Sequence, residues 1–246
     1  MAIYCSVSSR DDDIKKSNHK PFKTKKKMAK INSSSLGSFN GKVGNVVAYT
    51  VHGKNIVRIY TDQVSNPRTV KQQLIRARFT ELVKLGSDML SAVRIGYAYR
   101  AKQRKNTPLN NFMTGNWEAV SASSPDDVTV NYSELQVARG PLTGVVFGTV
   151  DWGSGEHLTV EVSFDGNADA PRTDPSDETY VFAYVPDLGQ GMLSAAAMRS
   201  GDAVSLTVPA SWNGMTAHLW GFTVGMGQAT YGKVSESVYI GHGEIQ

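Results

Sequence analysis

Two short runs rich in β-branched and aromatic residues, Gly41 to Val51 and Asn55 to Tyr60, flank His52-Gly53-Lys54. Such a pair around a glycine-bearing turn predicts a β-hairpin. Asn66-Pro67-Arg68-Thr69 follows, joining a good helix cap to a proline. Proline suits the first helical position because the N–H it lacks would have no partner there. Ile75, Phe79, Leu82, Met89 and Val93, with Gly86 on the same line, then recur at helical period and predict a helix from about Asn66. Arg94 to Asn106 reads as a basic loop. Thr107-Pro108 repeats the capping device, and Leu109, Phe112, Met113, Trp117 and Val120 predict a second helix packed on the first.

At Ser121 to Asp127 the pattern changes from helical to short alternating runs. Strands are predicted at 128–137, 142–151, 157–164, 179–185, 203–208, 215–224 and 232–240, separated by Gly, Pro and Asp. Leu158, Val160, Val162 and Phe164 should face inward. Met192 to Met198, rich in alanine, is read as one helical turn. The fold class is therefore mainly β with an α+β N-terminal part: a β-hairpin plus two helices, followed by an antiparallel Ig-like β-sandwich. Three segments are expected: a disordered basic arm over 1–27, a basic hairpin-helix module over 28–124 and an acidic β-sandwich domain over 125–246. Met28-Ala29-Lys30-Ile31 also reads like an ordinary protein start.

Charge sharpens this division. The net charge of +4 conceals a strong asymmetry: residues 1–105 hold 22 Lys+Arg against 6 Asp+Glu, and residues 106–246 hold 4 against 16. A basic half is suited to a polyanion or to the acidic half of another copy. The candidate contacts are Lys42, Lys54, Arg58, Arg100, Lys102, Arg104 and Lys105, with Tyr97 and Tyr99 as stacking surfaces. Cations interleaved with aromatic rings are what single-stranded nucleic acid requires, since bases stack on rings while cations hold phosphates. Arg58 and Arg78 could equally anchor carboxylates.

The search for reaction chemistry yields little. Histidines 19, 52, 157, 218 and 242 show no partner at metal-ligand spacing, and one cysteine, Cys5, cannot complete a zinc site with them. Asp165, Asp169, Asp174 and Asp177 surround a loop that could take calcium, though not in EF-hand spacing. No nucleophile elbow or triad order is present. The expectation is a protein that is not an enzyme, needs no cofactor and takes no small-molecule substrate. Lacking a secretory leader and an apolar run of membrane-spanning length, it is expected in the cytoplasm.

Several motifs carry a resemblance. Gly41-Lys42-Val43-Gly44-Asn45-Val46-Val47, Gly53-Lys54 with Arg58, Asn66-Pro67-Arg68-Thr69, Arg139-Gly140-Pro141-Leu142-Thr143-Gly144, Trp212-Asn213-Gly214 and Ser235-Glu236-Ser237 together resemble a bacterial family known only as a domain of unknown function. The resemblance covers nearly everything from Met28 on. It implies a basic N-terminal module fused to a sandwich, and its hairpin motif looks like those of virion-type or other multi-copy subunits. The function expected is that of a non-catalytic interaction or assembly protein with a protein partner or self-association; the alternative is sequence-nonspecific nucleic-acid binding by the basic half.

Overall fold

The computed structural model describes residues 28–31, 40–51, 53–62, 66, 68–153, 158–167 and 169–246. The basic arm 1–27, Pro67 and the histidines at 19, 52 and 157 lie outside them. The chain divides into two compact units between Ser65 and Asn66.

The first unit is one antiparallel sheet of β1 (Met28–Ile31), β2 (Gly41–Val43), β3 (Val46–Val51) and β4 (Lys54–Ile59), in the order β1-β4-β3-β2. The predicted first run of the hairpin is thus two strands. Gly44, at φ +57°, takes the left-handed conformation that reverses the chain between Val43 and Val46. β1 was not foreseen; it pairs with β4 from Met28 opposite Arg58 to Ile31 opposite Asn55.

The second unit begins with α1 (Val70–Asp88), α2 (Leu90–Gly96), α3 (Ala98–Arg104) and α4 (Pro108–Gly115). The first helix starts at Val70, four residues later than expected, with no side-chain cap from Thr69. Residues 94–106 are largely helical rather than a loop. Backbone bonds from Val93 to Met89, Tyr97 to Val93 and Ala101 to Tyr97 carry the helical ladder through both joints. The second capping device behaves as expected: Thr107 Oγ1 accepts the Asn110 N–H at 3.2 Å and Pro108 opens α4.

Then follow β5 (Val120–Ser124), β6 (Asp127–Val130), β7 (Val146–Asp151), β8 (Thr159–Asp165), β9 (Glu178–Val185), β10 (Gln190–Leu193), β11 (Ala197–Met198), β12 (Ala203–Thr207), β13 (Thr216–Val224) and β14 (Val238–Glu244). One sheet runs β10-β9-β13-β14, with β11 also on β9, and another runs β12-β8-β7. All their strand pairs are antiparallel. Met192-Leu193 and Ala197-Met198 pair as strand against β9, joined by the irregular segment 194–196, instead of forming the expected helical turn, because their backbone completes the edge of a sheet already buried.

The layers follow from alternation along β9 and β13. Val181, Ala183, Val185, Ala217 and Leu219 face Val160, Val162, Phe164, Val204 and Leu206 of the smaller sheet, forming the sandwich core. Phe182, Tyr184, Trp220 and Phe222 point the other way and pack with Leu82, Leu85, Met89, Val93, Tyr97 and Phe112 of the helices. Helices and sheet therefore share one core, across the boundary that composition places near residue 124. The first half of the α1 stripe stays out of it, since Ile75 and Phe79 remain 46% and 50% exposed.

Gly96 reports on this packing. A Cβ there would lie 2.3 Å from the Val137 carbonyl oxygen and 2.7 Å from Ala138 Cα, which are backbone atoms with little freedom to yield. Replacing a helical glycine by alanine ordinarily gains about 1 kcal/mol. Overpacking costs about 1–3 kcal/mol. Gly96→Ala should therefore lower the free energy of urea unfolding, and a variant as stable as the wild type would contradict this contact.

Candidate functional site

The candidate cations fall on two surfaces, one in each unit. In the first unit, cross-strand pairing sets Lys42, Val47 and Arg58 in one row and Val51 opposite Lys54. Directly paired residues of an antiparallel sheet project to the same side. Lys42, Lys54 and Arg58 thus share a face with Val47, Tyr49, Val51 and Ile56. Lys42 is partly engaged: its ammonium lies 3.6 Å above the Tyr60 ring and 3.8 Å from Asp62. The opposite face carries Val43, Val46, Ala48, Val57 and Ile59.

In the second unit, Tyr99, Arg100, Gln103 and Arg104 lie along α3 and line a groove of about 310 Å³ with Arg139, Gly140, Pro141 and Glu236. The backbone explains why Arg139 stands there. Its N–H donates to the Gly96 carbonyl at 3.1 Å, the Ser237 N–H donates to the Ala138 carbonyl at 3.0 Å, and the Leu142 N–H donates to the Val234 carbonyl at 3.1 Å. Gly140 permits the close approach, since a Cβ would stand 2.2 Å from the Val234 oxygen. Two motifs nearly a hundred residues apart, Arg139-Gly140-Pro141 and Ser235-Glu236-Ser237, are thereby clamped beside α3.

Charge in this groove is unbalanced. Arg139 Nε is 3.7 Å from Glu236 Oε1, while Arg100 and Arg104 add two more guanidiniums. Partial burial, and then the neighbouring Arg104 and Arg139, push the Arg100 pKa down from its ordinary value. Gln103 donates to the Tyr99 hydroxyl at 2.8 Å and steadies that ring. Lys102, with Ala98, Tyr99, Gln103, Tyr231 and Gly232, lines an adjoining hollow of about 410 Å³. Lys105, exposed, closes α3 in the left-handed conformation.

Tyr97 does not belong to this surface. It falls four residues after Val93 and four before Ala101, so the helix turns it into the core, where its ring meets Phe112 edge-on at 6.1 Å. Its hydroxyl donates to the Gln136 carbonyl at 3.1 Å. Burial, against the smaller opposing effect of Asn116, pushes its pKa up to about 12. Arg139 and Tyr231 are the contributors that sequence reasoning missed. The signal for Arg139 was its rarity, as one of four cations after residue 105. Arg78 does meet carboxylate, 3.9 Å from Glu118 and 4.5 Å above the Trp117 ring.

Two other expectations change. Asp177 is unavailable to calcium because it is fully buried against Arg199, with Arg199 Nε 3.3 Å from Asp177 Oδ2. Its carboxylate also accepts from Asp174 N–H, Met226 N–H and the Thr230 hydroxyl. Arg199 reaches on to the carbonyls of Gly166 and Thr143. Among the described residues no group of three His, Cys, Asp or Glu side chains is placed to hold a metal. His218 and His242, scattered in sequence, face each other across β13 and β14 with ring centroids 5.4 Å apart. Tyr239 bridges them, its oxygen 2.8 Å from His218 Nδ1 and 3.3 Å from His242 Nδ1. Burial, and then His242, push the His218 pKa down.

With this geometry in place, comparison with known proteins identifies the chain. Residues 38–241 match the family described as Family of unknown function (DUF6266), and the chain belongs to that family. No curated protein and no solved structure matches it. No helix among the described residues is long and apolar enough to cross a membrane.

Two measurements check the site as drawn. Because the Tyr97 pKa is raised above the usual value near 10, its contribution to stability is complete below pH 10 and is lost as pH rises through about 12. Spectrophotometric titration of Tyr97→Phe should lose one late-ionising tyrosine, and loss of an early one would return Tyr97 to the surface. Arg199→Met should cost about 3–5 kcal/mol in denaturant unfolding because it strands a buried carboxylate. The double variant with Asp177→Asn should cost less than the sum of the two single changes.

Proposed function

We propose that this member of a family of unknown function is a non-catalytic assembly subunit that associates with further copies of itself through its N-terminal sheet. The supporting observation is the face that carries Val43, Val46, Val57 and Ile59 around the buried Ala48, with the polar Thr50 and Asn55 at one end. Nothing among the described residues of the first unit forms a second layer over it, and Val43 and Ile59 are 63% and 68% exposed. An antiparallel sheet needs a second layer on its apolar side to be stable in water. A second copy presents the same face, so that two sheets can pack about 10 Å apart around a two-fold axis. Lys42, Lys54 and Arg58, on the reverse face, stay in solvent in such a dimer. The opposite charges of the two halves of the sequence then favour encounter and further growth.

Sedimentation velocity tests this over a range of protein concentrations. The wild type should form dimers or larger species that persist at 1 M salt, where the Debye length is about 3 Å and an apolar interface is unaffected by screening. Val43→Lys with Ile59→Lys should shift the population to monomer. A wild type that is monomeric at every concentration, or an oligomer indifferent to the double variant, would overturn the proposal.

A further inference from the structure

The groove along α3 belongs to the second unit. Arg100, Arg104 and Arg139 line one hollow with Glu236 as the single carboxylate among its lining residues. Three guanidiniums held together with one carboxylate leave the groove with an excess of positive charge, which an anion placed among them would offset. The rigidity is also notable. Arg139 hangs on a backbone clamped to α2 and to residues 234–237, and Arg100 and Arg104 are one helical turn apart. Guanidinium groups recognise phosphate oxygens through paired N–H donors.

The adjoining hollow supplies the other half of the recognition. It shares Tyr99 and Gln103 with the groove, so the two form a continuous track beside α3. Tyr231 is 75% exposed on its far side, with Lys102 on the helix next to it. An exposed ring at one end, a half-buried one at the centre and three guanidiniums at the other end suit a chain that alternates flat bases with phosphates. A duplex hides the base faces that these rings would stack on.

We infer that the α3 track binds single-stranded nucleic acid without reading sequence, with phosphates held by Arg100, Arg104 and Arg139 and bases stacked on Tyr99 and Tyr231. Lys102 adds a further phosphate contact between the two rings. Glu236 is a positioning residue that holds the Arg139 guanidinium toward the groove. An acidic protein segment would satisfy the cations but would leave the rings without function.

The test uses the full chain and fluorescence anisotropy with a labelled oligothymidine, a duplex of equal length, inorganic phosphate and polyglutamate. Each single-strand phosphate neutralised contributes about −0.7 to the slope of log affinity against log salt. Wild-type binding to oligothymidine should therefore show a slope of roughly −2 to −3, and Arg100→Ala with Arg139→Ala should flatten it by about 1.4. Tyr231→Ala should weaken binding about 5-fold to 150-fold with the slope unchanged, because it removes stacking and no charge. Arg100→Lys with Arg139→Lys keeps the charge and should retain most of the salt slope, which separates loss of contact from loss of fold. The inference is overturned if the double alanine variant binds as the wild type does, which would assign binding elsewhere in the chain. It is equally overturned if duplex binds as tightly as oligothymidine, or if polyglutamate or inorganic phosphate competes as well as the oligonucleotide does. Because Val43→Lys with Ile59→Lys leaves the track untouched, monomeric protein should bind oligothymidine as well, and failure of the assembly proposal would not carry this one with it.

Discussion

The second unit depends on the burial of β9 and β13 on both faces. Tyr180-Val181-Phe182-Ala183-Tyr184-Val185 and Leu219-Trp220-Gly221-Phe222 send alternate side chains into two different cores, one against the smaller sheet and one against the helices. A strand buried on one side needs apolar residues at every second position; one buried on both needs them at nearly all. Gly221 is the exception that fits, because the Phe147 ring of the opposite sheet occupies the space where its side chain would be. This sheet is what brings the helices and the sandwich, so different in charge and composition, into one cooperative body.

That arrangement decides where the cations stand. With Met89, Val93, Tyr97 and Ala101 committed to the core at steps of four, Arg100 and Arg104 must fall beside the line, along the rim of the helix. The segment 137–142 runs along this rim, hydrogen-bonded to α2 on one side and to 234–237 on the other, and so delivers Arg139. The motifs by which the chain resembles its family at residues 139–144 and 235–237 are thus structural neighbours. Their glycine and serine serve close approach and backbone hydrogen bonding, while Arg139 and Glu236 face the groove.

The first unit obeys the same alternation with a different result. A single sheet separates an apolar face from one that mixes apolar residues with Lys42, Lys54 and Arg58, and among the described residues of this unit only Ala48 is a buried hydrophobic. Elsewhere in the chain the Asp177–Arg199 pair shows how a charge is buried properly, with backbone carbonyls and amides around both partners. Among the described residues of this unit, Val43 and Ile59 on the apolar face of the sheet are by contrast exposed.

What the sequence by itself determined was local. Short apolar runs bounded by Gly, Pro and Asp located β8, β9, β12 and β13, with period-two alternation plain in β8, and Thr107-Pro108 located the start of α4, because strand patterning and helix capping depend on residues a few positions apart. The division into a basic and an acidic half was equally plain, as was the family resemblance. Tertiary structure decided the rest. Whether Tyr97 stacks on a ligand or fills the core depends on what covers that face of the helix, and residues 192–193 and 197–198 became strands because β9 offered them an unpaired edge. Arg139 and Tyr231 join α3, and His218 meets His242, only when distant segments pair. No spacing in the chain encodes such meetings, since side-chain contacts fall off within a few ångströms while the sequence separations run from tens of residues to more than a hundred.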